Sequence, residues 1–339
     1  FKMKKQLLIA AVAATMTSAA FADISLTGSM KVNYKSTDFG NTATASTNNV
    51  TQEGDLVLTG TNGGTKVLVE VSIDGGNSTG TADSSSANNM RTEDVWLSTK
   101  IGDVSVKTGT WNPADTIFDD NGTRTNGNWI LSTDVSGVNI ALEGDSNASA
   151  TKATLSGDIA GVSAKYVMKG AASADLTGKA TAGKATNELY LSSDVAGFGV
   201  TYAMIDSDAT DQGAKAFTIS KEFNGVTVSY SDVDADSKYT VTGDTDAFGE
   251  ANTIGNAGMK IGDDASSIKV STSMAGNTVS ARFVSVDALD ATNDADVNTF
   301  TVTRPLANGT TLEVTYTDTD MASSTYDKEV LDVELAVKF

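Results

Sequence analysis

Glu329-Val-Leu-Asp-Val-Glu-Leu-Ala-Val-Lys-Phe339 alternates with a period of two. Leu331, Val333, Leu335, Val337 and Phe339 fall on one side of an extended strand, and Asp332, Glu334, Ala336 and Lys338 on the other. Successive side chains of a strand point to opposite faces, so this segment is built to divide an apolar medium from a polar one. Its last residue is an aromatic flush with the apolar face.

Working back along the chain, the same design recurs. Ile24, Leu26, Met30, Val32 and Tyr34 alternate with Ser25, Thr27, Ser29, Lys31 and Asn33. The rows Val67/Val69/Val71/Ile73, Val138/Ile140/Leu142, Val162/Ala164/Tyr166/Met168, Phe198/Val200/Tyr202/Met204, Val226/Val228/Tyr230 and Leu312/Val314/Tyr316 repeat it. Helical periodicity is nearly absent after residue 22. Only two prolines occur, which suits long strands because proline removes a ladder donor.

The connections alternate in length. Short turns stand at Thr61-Asn-Gly-Gly64, Ile101-Gly-Asp103, Val135-Ser-Gly137, Ile159-Ala-Gly161, Val195-Ala-Gly197, Asn224-Gly225, Ala275-Gly-Asn277 and Ala307-Asn-Gly309. Gly or Asn in each supplies the positive φ of a tight hairpin. Between them run longer polar stretches: 36–50, 75–91, 111–127, 170–186, 207–213, 233–265, 288–296 and 319–328, with a shorter one at 145–150. Eight hairpins plus a first and a last strand predict 18 antiparallel strands; 16 is the alternative if the hairpin at Ile159-Ala-Gly161 is absent or the first strand fuses with the last. Short turns on one rim and long loops on the other are the geometry of a transmembrane β-barrel. A barrel this wide cannot be filled by its own wall side chains and must hold water.

The other end of the chain reads as an export signal. From Met3, the expected start, Lys4 and Lys5 precede an apolar run from Leu7 to Ala14 and an Ala20-Phe21-Ala22 cleavage site. The run is well short of the ~20 residues a helical span requires. The expected organisation is a leader over residues 1–22 and a single all-β barrel domain over 23–339.

Composition narrows the function. The formal net charge is −19, which argues against nucleic acid or anionic lipid surfaces as partners. With no cysteine, the fold must hold without disulfides. Without histidine as well, the usual zinc and iron ligands and the usual general base are missing. No Gly-x-Ser-x-Gly elbow or phosphate-binding glycine loop occurs, so an enzyme is not expected. An exported surface structural or adhesin β-protein is the alternative function class. It would be expected to show fixed-length repeats rather than alternating short and long connections.

The chain resembles the Gram-negative general porins of the bacterial outer membrane. The terminal strand ending in Phe339 carries the likeness, as does Glu93-Asp-Val-Trp-Leu-Ser-Thr-Lys-Ile-Gly-Asp-Val-Ser-Val-Lys-Thr-Gly-Thr-Trp-Asn-Pro113. There a strand, a glycine turn and a second strand spaced as Val106, Gly109 and Pro113 lead toward a third loop. The resemblance implies a homotrimer among outer-membrane lipid and lipopolysaccharide, passing small hydrophilic solutes and ions without energy coupling or cofactor. Two departures stand out: the third loop, 111–127, is shorter than in many porins, and the hairpin near 151–169 is extra to a sixteen-strand wall.

The resemblance also implies that the third loop folds inward and narrows the pore, which would place Asp115, Asp119, Asp120 and Arg124 at a constriction. A loop solvated outside the barrel is the other reading of the same residues. Strand parity directs Lys31, Lys35, Lys66, Lys107, Lys165, Lys269 and Arg282 into the lumen, with Asp55, Glu70, Glu143, Glu188, Glu313, Asp332 and Glu334. These nearly cancel, so the excess acid belongs to loops, as in Asp232-Val-Asp-Ala-Asp236, Asp244-Thr-Asp246 and 287–296. Clustered carboxylates suit calcium, but none matches a calcium-binding loop, and solvated acids are the expectation. An acidic mouth predicts a weak preference for cations. Tyr34, Tyr166, Tyr202, Tyr230, Tyr316 and Phe339 are expected at strand ends, in interfacial girdles.

Overall fold

The computed structural model describes residues 23–40, 46–75, 89–111, 125–144, 151–170, 185–208, 212–237, 264–288, 294–322 and 327–339. The expected leader, residues 1–22, lies outside them. The strands are β1 (Asp23–Phe39), β2 (Thr47–Asn62), β3 (Thr65–Gly75), β4 (Asn89–Ile101), β5 (Val104–Trp111), β6 (Thr125–Val135), β7 (Val138–Gly144), β8 (Lys152–Ile159) and β9 (Val162–Lys169). They continue as β10 (Thr186–Val195), β11 (Phe198–Ser207), β12 (Ala214–Phe223), β13 (Val226–Ala235), β14 (Asp264–Met274), β15 (Asn277–Asp287), β16 (Ala295–Pro305), β17 (Thr310–Met321) and β18 (Lys328–Lys338).

Each strand pairs antiparallel with its neighbours in the chain, and β18 returns to pair with β1 from Ser29↔Lys338 to Phe39↔Lys328. The 18 strands therefore form one closed hoop. Closure leaves no row of unpaired backbone groups facing lipid, which is why a spanning sheet must be a barrel. The sixteen-strand alternative falls because β8 and β9 form the hairpin at Ile159-Ala-Gly161, paired from Lys152↔Lys169 to Ile159↔Val162.

Tight turns join the strands at one rim. Ser136-Gly137, Ala160-Gly161, Ala196-Gly197, Asn224-Gly225, Ala275-Gly276 and Asn308-Gly309 all place both residues at positive φ, the hairpin turn whose twist matches the flanking strands. Asp23 and Phe339 lie at the same rim, since Asp23 pairs with Thr61 beside the first turn.

The outer face is apolar through the middle of the wall, where Ile24, Leu26, Met30, Leu97, Leu142, Ile268, Phe300 and Leu335 are exposed. Tyr34, Tyr166, Tyr202, Tyr230 and Tyr316 share this face, paired with Val333, Leu189, Phe217, Ile268 and Phe300. They stand several residues inside the strand ends rather than at them. The strands run on past the girdle with polar side chains outward, as in Asp232 and Asp234 beyond Tyr230. The Tyr34 and Tyr230 hydroxyls donate to Asn48 Oδ1 and Asp232 Oδ2, each at 3.0 Å. At the turn rim Phe198 and Phe223 flank Lys221, whose Nζ lies 3.8 and 5.5 Å from their ring centroids.

Extension past the girdle also shortens the expected loop at 36–50. β1 reaches Phe39 and β2 starts at Thr47, because Ser36↔Asn48 and Thr37↔Thr47 continue the ladder with polar residues.

The seam between first and last strands has its own packing. Gly28 N donates to Phe339 O at 2.8 Å and Phe339 N donates to Gly28 O at 3.0 Å. A Cβ on Gly28 would lie 2.6 Å from the Phe339 ring. The aromatic thus covers the one gap in the apolar row of β1, a cross-strand pairing worth up to ~1 kcal/mol. Phe339→Ala is expected to lower the unfolding free energy by about that amount, read as an earlier midpoint in heat-modified gel mobility. An unchanged midpoint would mean the ring is idle in the folded barrel.

Candidate functional site

Inward-facing side chains of the two halves of the wall differ in burial. Toward the turn rim, Thr27, Lys66, Thr201 and Thr278 are exposed to the lumen. Toward the loop rim they are buried: Val233, Val284, Val286, Val297 and Met321 on one arc, and Lys152, Thr154, Val167, Lys169, Thr186 and Glu188 on the other. Val286 and Val297 are each 1% exposed. On these two arcs the inner face is thus covered in its loop-end half and open in its turn-end half.

On β3 to β5 the lining is basic and aromatic. Lys107 Nζ lies 4.6 Å from the Trp96 ring centroid and 4.2 Å from that of Trp111, and Lys66 Nζ lies 5.5 Å from Trp96. Such contacts hold a cation in place by the ring quadrupole. The local backbone creates this arrangement. Gly109 adopts φ 146°, and the ladder to β6 shifts between Gly109 and Trp111. Asn128 Nδ2 fastens the far side by donating to Trp111 O at 2.9 Å. Tryptophans at positions 96 and 111 are unremarkable in sequence; their meeting depends on this irregularity.

On β7 to β10 the lining is a chain of ion pairs. Lys152 Nζ is 3.2 Å from Glu143 Oε2, and Lys169 Nζ is 2.6 Å from Glu188 Oε1. Tyr190 Oη donates to Glu188 Oε2 at 2.6 Å, while Lys165 Nζ lies 5.8 Å from the Tyr190 ring. Lys152 is 2% exposed and Glu188 0%, so each needs its partner, because an isolated buried charge is costly. Lys152 and Lys169 were not among the residues that strand parity singles out. Glu143↔Lys152 across the short connection at 145–150 was the available signal.

The remaining wall residues are spread around the hoop. Lys31 pairs with Glu53 at 2.6 Å, and Asp55 accepts from Ser29 Oγ at 3.2 Å. Asp332 accepts from Asn33 Nδ2 at 2.6 Å, and Glu313 accepts from Thr303 Oγ1 at 2.9 Å. Lys35, Lys328, Glu313, Asp332 and Glu334 line one recess of about 390 Å³. Glu70 stands opposite Val57, and Arg282 stands opposite Lys269. Asp115, Asp119, Asp120 and Arg124 fall outside the described residues. Among the described residues no group of three or more carboxylates is placed to hold a metal ion.

No protein of curated function matches the sequence. Among solved structures, the barrel resembles a BenF-like porin from Pseudomonas fluorescens Pf-5, with a TM-score of 0.71 at 13% identity, covering 95% of this chain and 100% of that one. It also resembles the outer membrane protein opdK of Pseudomonas aeruginosa, with a TM-score of 0.70 at 11% identity over 95% and 100% of the two chains. OccK2 (OpdF) of Pseudomonas aeruginosa, solved in complex with glucuronate, gives 0.68 at 12% identity over 95% and 99%. At such identities the likeness is one of fold. Membership comes from the sequence itself, which matches the Gram-negative porin family over residues 9–322. With that match, the closed hoop and its apolar outer band, the chain belongs to the Gram-negative porin family and forms an outer-membrane channel for passive diffusion of small solutes.

Proposed function

We propose a general diffusion channel with a weak preference for cations, assembled as a homotrimer. Uneven placement of charge carries this reading. Inward-facing cations are matched by carboxylates, as in Lys31–Glu53, Lys152–Glu143 and Lys169–Glu188. At the loop rim the outward rows of β11 to β18 carry Asp206, Asp232, Asp234, Asp264, Asp287, Asp296, Asp318, Asp320 and Glu329. Among the described residues, Lys215 is the one cation on those rows beyond the girdle. An acidic mouth enriches cations over a Debye length of ~10 Å at 0.1 M salt. In this reading Asp115, Asp119 and Asp120, with Arg124, narrow the lumen against the wall and add to the same field.

Reversal potential in a planar bilayer under a salt gradient tests this. The expected sign is that of a cation-preferring pore, fading as ionic strength rises. Converting Asp115, Asp119 and Asp120 together to Asn should reduce it further. An anion-preferring pore at low salt would overturn the proposal. It would favour a second reading, in which Lys66 and Lys107, held over Trp96 and Trp111, attract carboxylate-bearing solutes.

A further inference from the structure

A recess of about 720 Å³ opens on the inner face of the turn-end half, across β6 to β11. Small-molecule sites are typically clefts of ~300–1,000 Å³. The register lays Asp134, Asn139, Ser156, Lys165 and Tyr190 side by side, each facing the next across a ladder. With strands ~4.8 Å apart, this row makes a polar shelf ~19 Å long around the wall. Asn139, Ser156, Lys165 and Tyr190 are half-buried and form its floor. Asp134 at one end, and Asp158 two residues along β8 from Ser156, are exposed at its edge.

Two features prepare the shelf for a ligand. The Tyr190 ring is locked from behind, because its hydroxyl donates to Glu188, which is fully buried and paired with Lys169. Conduction makes no use of so buried a pair; through Tyr190 it presents a fixed aromatic face to the lumen. The carboxylates are also oriented. Asp134 accepts from Asn139 Nδ2 at 3.3 Å and Asp158 from Ser163 Oγ, and each keeps further acceptor sites, since an ionised carboxyl has about four. The shelf thus mixes acceptors (Asp134, Asp158), a donor (Lys165) and groups that do both (Asn139, Ser156). An anionic or cationic solute would match one sign of charge and oppose the other. A neutral polyhydroxylated ring donates and accepts at every hydroxyl, and its apolar C–H face packs on an aromatic side chain.

We propose that this shelf is a saccharide seat, holding a short neutral oligosaccharide with one ring on Tyr190 and its hydroxyls on Asp134, Asn139, Asp158 and Lys165. It rests on the diffusion-channel reading and adds a weak stop to the passage. Full-length protein in a planar bilayer would be titrated with maltotriose, an uncharged trisaccharide, and with a polyethylene glycol of similar mass. Maltotriose should reduce the ion current saturably, while the glycol should give only a shallow, linear reduction. Asp134→Ala combined with Asp158→Ala should raise the half-blocking concentration about tenfold, as expected for losing a hydrogen bond to a charged group. Tyr190→Leu should raise it as well, and the exposed carboxylates supply the test if that variant fails to fold. Thr278→Ala, facing the lumen on β15, should leave it unchanged. A protein that forms no pore would overturn the channel and the seat together. A conducting pore that maltotriose blocks no better than the glycol, or blocks equally in either folded variant, would overturn the seat alone.

Discussion

Gly109→Ala is expected to destabilise the barrel by more than ~3 kcal/mol. At φ 146° the backbone lies in a region open essentially to glycine, and an L side chain there costs ~1–3 kcal/mol in strain. The added methyl would also fall 2.1 Å from Val95 O and 2.6 Å from Trp96 Cα. Those are backbone atoms of β4 and cannot rotate aside, so the strand itself must move, which adds the cost of overpacking. Movement of Trp96 also loosens the seat of Lys107. Urea unfolding of the refolded barrel in vesicles would show the lowered midpoint, and single-channel records the altered conductance. A wild-type midpoint in Gly109→Ala would show that the bulge between β4, β5 and β6 is soft.

Two adjacent residues of β18 should respond oppositely to the same substitution. Leu335 faces outward between Val32 and Leu312, below the Tyr34 and Tyr316 girdle and above Phe339. Leu335→Arg near the bilayer midplane should cost ~2–4 kcal/mol, enough to lower the yield of folded barrel severely. Glu334 faces inward between Asn33 and Glu313. Glu334→Arg should assemble normally and alter only conductance and selectivity. Comparing folded fractions by gel mobility decides the matter, and equal damage from both would mean that β18 does not separate lipid from water.

The strand count and the hairpin turns were legible because period-two alternation and positive-φ turn residues are local signals. Asn224-Gly225 announces its turn without help from the rest of the chain. Three features were not legible, each for a non-local reason. Above the girdle the strands lose their apolar outer row, so hydropathy no longer marks Ser36 or Thr47 as strand. The slip between Val69 and Val71 against β4, like that at Gly109, depends on neighbouring strands. Burial of Lys152, Lys169 and Glu188 inside a channel runs against the usual fate of charged residues, and only the register of β7 to β10 reveals their partners.

The pairing of β1 with β18 has a consequence for biogenesis. Asn33 and Asp332, joined across that seam, are 299 residues apart in the chain, about the longest loop this protein could close. Contacts of such sequence separation form late, because the entropy of closing the loop must be met before any bond rewards it. Until β18 arrives, β1 and β17 each offer an open edge whose backbone groups find no partner in hydrocarbon. A chain arrested before β18 therefore cannot persist as a smaller pore in the bilayer, and completeness of synthesis is checked by geometry at the moment of insertion.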